Sequence, residues 1–430
     1  MEFWSRALED LGMSGPALQR AVEACRFCDA PLRLRFCDLG QTPLANAFVP
    51  PERATEPDPH YPLRVMVCEA CRLVQAEAVA SPDAIFSHYA YFSSYSESWV
   101  AHAGRFAAMA QARFGLSAAS QVVEVASNDG YLLRHFLAAG IPVLGVEPAA
   151  NVAAAATAAG VPTLVRFFGR GTADELVMED RAADLVVANN VLAHVPDIND
   201  FVAGLAHLVK PDGVISIEVP HLLRLIAEAQ FDTIYHEHFY YLSLLAVERV
   251  FAAHSLRVFD VEEWSTHGGS LRILACRNGS GMHPSGPGLA RVRAEEAAAG
   301  LDTDGPYERF QGRVAPIRDG LLAFLRSART EGRSVAAYGA AAKGNTLLNV
   351  CGVTRDLIAY VVDRNPHKQG LLLPGSRLPI HPPERLRETR PDYVLILPWN
   401  IRDEVVASIP EVRAWGGRFV IPVPELTVLP

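Results

Sequence analysis

Only 20% of the 430 residues are charged, and no basic excess exists: 39 Lys and Arg stand against 48 Asp and Glu, a net charge of −9. A chain short of positive charge is poorly suited to a nucleic-acid polymer or an anionic membrane as its main partner, although a local basic pocket stays allowed. The start, Met1-Glu-Phe-Trp-Ser-Arg6, has no basic stretch leading into an apolar run and so does not read as a secretory signal. A long unbroken apolar run is missing too. The uncharged stretch Pro148–Val165 is Ala-rich and broken by Asn151, Gly160 and Pro162, which predicts a turn, a helix and a turn rather than a membrane span. These absences lead us to expect a cytoplasmic protein with neither a membrane nor a nucleic acid as partner; its oligomeric state stays open. Half the residues are hydrophobic, enough for real cores in two to four domains.

Cysteine is sparse, seven in all, yet four of them form two C-x-x-C pairs, Cys25/Cys28 and Cys68/Cys71. In a reducing compartment, paired knuckles point to metal rather than to disulfides. They lie in a segment whose prolines (among them Pro43, Pro50, Pro51, Pro57 and Pro59) leave little room for a conventional core, so a staple is needed. Four thiolates would close a tetrahedral Zn²⁺ site, making the metal structural. Cys37, Cys276 and Cys351 read as packing.

From about Ser117, strand-like and helix-like runs alternate. Gln121–Ala126 reads as a buried strand, Ser127-Asn-Asp-Gly130 as its loop, Tyr131–Ala139 as a helix, and Pro142–Val146 as a second strand ending in Glu147. This is the nucleotide-binding half of a doubly wound fold, with Glu147 placed to accept ribose hydroxyls. The G-x-G-x-x-G that a dinucleotide pyrophosphate requires is absent: Gly130 stands alone, and Ala126 and Asn128 replace glycines. S-adenosylmethionine carries no phosphate and tolerates such a loop, and Glu124 suits its cationic aminoacyl region. A later strand, Asp184–Ala188, leads to Asn189-Asn190-Val191 and His194, and the whole order resembles class I methyltransferases.

Next comes Phe231-Asp-Thr-Ile-Tyr235-His236-Glu237-His238-Phe239, a concentration of titratable and aromatic groups. His238 suits a general base, Glu237 an orienting or charging partner for an imidazole, and Tyr235 a donor to a developing oxyanion. His236 and His238 are alternatively metal ligands, though no H-E-x-x-H is formed. A second α/β alternation runs from Ser334 to the end. Its loop, Gly339-Ala-Ala-Ala-Lys343-Gly344-Asn345, is neither a dinucleotide nor a Walker loop, yet Lys343 at a helix start suits a pyrophosphate.

The two cysteine pairs, Glu124–Tyr131, Tyr235–His238, Gly268-Gly-Ser-Leu-Arg272 and Tyr338–Asn345 together resemble the nucleotide-sugar C-methyltransferases, in order and over nearly all the chain after residue 20. The resemblance implies an S-adenosylmethionine-dependent enzyme that methylates C3 of a nucleotide-linked 4-keto deoxysugar. It implies structural zinc on Cys25, Cys28, Cys68 and Cys71. Its cofactor residues correspond to Glu124, Ala126, Ser127, Asn128, Asp129, Gly130, Glu147, Pro148, Asn190, Val191 and His194. Its catalytic residues correspond to His238 as base with Glu237 and Tyr235. Substrate contacts are expected from Tyr91, Tyr95, Ser270, Arg272, Lys343 and Asn345. The expected division is a leader and zinc module over 1–85, a methyltransferase domain over 86–300 and a Rossmann-like nucleotide-sugar domain over 301–430. Two other readings are an NAD-dependent oxidoreductase working through the C-terminal unit and a non-catalytic zinc scaffold.

Overall fold

The computed structural model describes residues 23–77 and 92–429. Three sheets organise them. The first has four antiparallel strands, Leu34–Thr42, Tyr61–Val67, Val74–Ala76 and Tyr240–Tyr241, in that spatial order. Its last strand comes from far along the chain, so the cysteine-bearing module is not closed by residues 25–77 alone.

The second sheet has seven strands: Leu256–Trp264, Ser270–Arg277, Val209–Pro220, Ala183–Asn189, Val122–Val125, Val143–Val146 and Thr163–Leu164. Only Ser270–Arg277 runs against its neighbours. Numbered along the chain, the order is 6-7-5-4-1-2-3. Val122–Val125 and Val143–Val146 are buried at every position, as strands covered by helices on both faces must be. The helix Glu97–Phe114 covers one side; the Ser96 side chain accepts from the Trp99 N–H at its start, and Gly115 ends it at φ 64°. The segment Pro148–Val165 contains the helix Ala150–Ala158, as its composition predicts.

The third sheet is Val335–Tyr338, Val361–Val362, Ile380–His381, Tyr393–Ile396, Arg418–Ile421 and Thr427–Leu429. Its spatial order is 3-2-1-4-5-6, parallel except for the last strand. That is the dinucleotide-fold order, with its switch point between Val335–Tyr338 and Tyr393–Ile396. The first module is packed against this domain: Phe36 stacks on Phe310 at 4.3 Å, Arg377 pairs with Asp58 at 2.6 Å, and Val49 bridges Leu372. No helix among the described residues is long and apolar enough to cross a membrane.

Candidate active site

The four cysteine sulfurs lie within 4.8 Å of one another, with Cys25–Cys71 at 3.6 Å and Cys28–Cys68 at 3.5 Å. A tetrahedron with Zn–S bonds of about 2.3 Å has edges of roughly 3.8 Å, so the donor set fits zinc. Gln75 Nε2 donates to Cys25 Sγ at 3.2 Å, the outer hydrogen bond a metal-bound thiolate accepts. Among the described residues this is the only group of three or more His, Cys, Asp or Glu that meets metal-ligand spacing. His236 is buried with its ring edge-on to Tyr61, and among the described residues neither it nor His238 belongs to a group of three or more such ligands.

At the switch point of the seven-stranded sheet, φ is 55° at Ala126, 51° at Asn128 and 76° at Gly130. The loop keeps the backbone of alternating glycines although two of the three are replaced. Ala in this region is strained, and such strain persists where the surroundings enforce it. Glu147 holds the loop, its carboxylate accepting the N–H groups of Asn128 (3.0 Å) and Ala149 (2.9 Å). Around it, Glu124 Oε2, Ser127 Oγ, Asp129 Oδ1, Asn189 Oδ1 and Asn190 Oδ1 are buried without a hydrogen-bond partner. Burial, then Glu147 and Asp129, drive the Glu124 carboxyl well above the usual carboxylate range. Three carboxyl groups crowded in this way fit a cationic, polar ligand such as the sulfonium and ammonium of S-adenosylmethionine. The turn Ser93–Tyr95 closes over them: the Ser93 N–H donates to Asn128 Oδ1 and the Ser94 N–H to Asp129 Oδ2. Nothing in the sequence pattern signalled that cover.

The Tyr235–His238 segment lies between this switch point and the third sheet. The His238 Nδ1 lies 2.8 Å from the Thr233 carbonyl. A carbonyl only accepts, so Nδ1 carries the hydrogen and Nε2 is the free basic atom of the neutral ring. Burial, and then the neighbouring His194, hold the His238 imidazole well below its usual value. Tyr235 lies against it with ring centroids 4.0 Å apart, and His194 at 4.8 Å. His194 Nδ1 is tied to the Glu237 carbonyl at 2.7 Å. His194, expected among the cofactor residues, stands beside His238, carried there by the 3-10 turn Leu192–His194. Glu237, expected to orient or charge an imidazole, turns away from His238. Its carboxylate accepts from Asn46 Nδ2 of the first module at 2.7 Å, and burial pushes it up to about 7; the Thr233 carbonyl, not Glu237, orients the His238 ring.

Lys343 reaches the same region from the third sheet. Its Nζ donates to Asn400 Oδ1 at 2.7 Å and lies 4.7 Å from the Trp399 ring centroid. Burial lowers it to about 8, against the opposing charge of Asp232. Asn345 is buried with Oδ1 unpartnered. Arg272 does not reach a substrate surface. It is 1% exposed, and its guanidinium is spent on Glu218 and Glu262 between the Phe106 and Trp264 rings. Ser270 is likewise buried, donating to the Thr266 carbonyl. The Gly-Gly-Ser-Leu-Arg segment is closely packed: a Cβ on Gly268 would stand 2.6 Å from the Trp399 ring. Tyr95 is 56% exposed and stacks on Phe92, which in turn lies against His367 of the third domain. Tyr91 lies outside the described residues.

A sheet of order 6-7-5-4-1-2-3 with a carboxylate-lined loop at its switch point defines a class I, S-adenosylmethionine-binding methyltransferase. Family models match a zinc binding domain over residues 25–86, a methyltransferase domain over 99–261 and a C-methyltransferase C-terminal domain over 265–424. The chain is 37% identical over 410 residues to the C-methyltransferase NovU of Streptomyces niveus, spanning 95% of this chain and 97% of that one. It belongs to this C-methyltransferase family and is an S-adenosylmethionine-dependent C-methyltransferase. A ubiquinone biosynthesis O-methyltransferase of Rhodopseudomonas palustris (strain BisA53) is 30% identical over 98 residues, 23% of this chain and 38% of the relative. Among solved structures, magnesium protoporphyrin IX methyltransferase from Synechocystis aligns with 41% of this chain and 79% of its own, at 14% identity and a TM-score of 0.32.

Proposed function

We propose that the chain methylates C3 of a nucleotide-linked 4-keto deoxysugar, with the sugar between the seven-stranded sheet and the C-terminal sheet. The observation that carries this reading is the state of His238, a neutral imidazole with Nε2 free and Tyr235 beside it. A 4-keto group acidifies the neighbouring C–H, so a neutral base suffices to remove that proton. His238 Nε2 takes the proton, and the Thr233 carbonyl steadies the imidazolium by accepting from Nδ1–H. Tyr235 donates to the enolate oxygen. The deprotonated carbon is then the nucleophile for a methyl group. When bound, S-adenosylmethionine supplies that methyl group and leaves as S-adenosylhomocysteine; Glu124, Asp129, Glu147 and Asn190 would hold it. Lys343 offers positive charge to the substrate pyrophosphate. The domain boundaries 1–85, 86–300 and 301–430 belong to the same reading.

The test is transfer of labelled methyl from S-adenosylmethionine to a panel of TDP-, GDP- and CDP-linked 4-keto deoxysugars. Transfer to carbon of at least one supports the reading; methylation of a hydroxyl, or of none of them, overturns it.

A further inference from the structure

Asp232 is 0% exposed, lies on the short turn Phe231–Thr233, and is absent from the mechanism above. Its Oδ2 accepts from the Trp399 indole N–H at 2.7 Å, while its Oδ1 is buried with no hydrogen-bond partner. Trp399 is also the ring beneath the Lys343 ammonium. The next residue of the same turn, Thr233, supplies the carbonyl that fixes His238. One buried carboxyl group therefore touches the C-terminal domain by its side chain and the catalytic base through its own turn. Half-satisfied buried carboxyls are costly, and the Trp399 ring that donates to this one also lies beneath the Lys343 ammonium.

We propose that Asp232 is a positioning residue that keeps Lys343 charged and seated at the active site while locking the Thr233 turn that presents His238. This rests on the assignment of His238 as base and Lys343 as the anion contact. Its electrostatics run both ways. Burial lifts the Asp232 carboxyl to about 6 against the pull of Lys343, and burial lowers Lys343 to about 8 against the pull of Asp232. The other groups facing Lys343 are His238 and His267, both held neutral by burial, with Asn400 and Trp399; Cys351 faces Asp232 from the other side. Asp232 is thus the one anion among the charged and titratable neighbours named here. Removing its charge leaves the ammonium to burial alone, and Lys343 then loses its proton at a lower pH.

The test uses the full chain carrying Asp232→Asn and, by a second route, Trp399→Phe. Acetic anhydride labelling of Lys343, read by peptide mass spectrometry from about pH 6 to about pH 9, requires no sugar substrate. Neutral amine is the reactive form, so Asp232→Asn should label roughly 5-fold faster near pH 7, and Trp399→Phe should shift the same way by less. With a working substrate, kcat/KM of Asp232→Asn should lose about 4-fold more at pH 8 than at pH 6.5, mostly in KM. Unchanged labelling in both variants overturns the proposal, as does an equal activity loss at every pH, which is what a packing defect gives. Wild-type enzyme that methylates none of the 4-keto panel sinks the substrate reading instead, and the labelling result still decides the role of Asp232.

Discussion

The chain holds two doubly wound sheets, and their switch points are in opposite states. At the first, the loop Ala126–Gly130 has strained, left-handed backbone and is ringed by carboxyl and amide oxygens with nothing to bond. At the second, the two lysines are held by neighbouring oxygens, Asn345 Oδ1 is left unpartnered, and Asp363 accepts loop N–H groups as Glu147 does at the first. Asp363 takes the Ala340 N–H, Lys368 Nζ donates to the Ala340 carbonyl at 2.9 Å, and Lys343 is fastened to Asn400. The first crevice is lined by carboxyl groups, the second by lysines. On the proposed function one fold does two jobs: the first sheet receives a small cation, and the second lends a lysine to chemistry on its neighbour.

Substitutions on either side can break that contrast. The largest effect belongs to the group between the two sheets. His238→Asn should lower methyl transfer by about 10³-fold while S-adenosylhomocysteine still binds, checked by label transfer alongside calorimetry. On the acidic side, Glu147→Ala removes a carboxylate that holds two loop N–H groups. S-adenosylmethionine affinity should fall roughly 10- to 100-fold by calorimetry, equivalent to about 1.5–3 kcal/mol, with affinity for the sugar nucleotide unchanged. On the basic side, Lys343→Met should raise KM for the sugar nucleotide about 10-fold and leave S-adenosylmethionine binding intact; equal losses for both ligands would erase the distinction between the crevices. The smallest effect is a pH dependence. His238 is held well below its ordinary value, so acidification through about pH 6.5 should not protonate it, and kcat/KM should stay flat there. Above about 8, where Lys343 loses its proton, KM should rise.

Much of this was legible in the chain. The cysteine spacing gave the cluster, buried runs such as Val122–Val125 gave the central strands, and Glu124 with Glu147 marked the cofactor loop, because those signals are local. What was not legible depended on packing between distant segments. Arg272 looked like a substrate contact, yet its neighbours Glu218 and His102 come from elements 54 and 170 positions away. Glu237 sits next to His238 in sequence but points across to Asn46, since residues 235–238 form a turn closed by the His238 N–H on the Tyr235 carbonyl. The Asp232–Trp399 bond spans 167 positions and left no pattern to read.

The strand Tyr240–Tyr241, two residues beyond His238, is the fourth strand of the cysteine-bearing sheet, pairing with Val74 and Gln75. The cysteine module and the Tyr235–His238 segment are thus woven together rather than strung in series. A cut near residue 85 would separate the module from one of its own strands, so it cannot be moved to another enzyme as a cassette. For the same reason, stripping the metal should be felt at His238: the sheet that carries Cys68 and Cys71 beside it also anchors the far end of the segment holding His238.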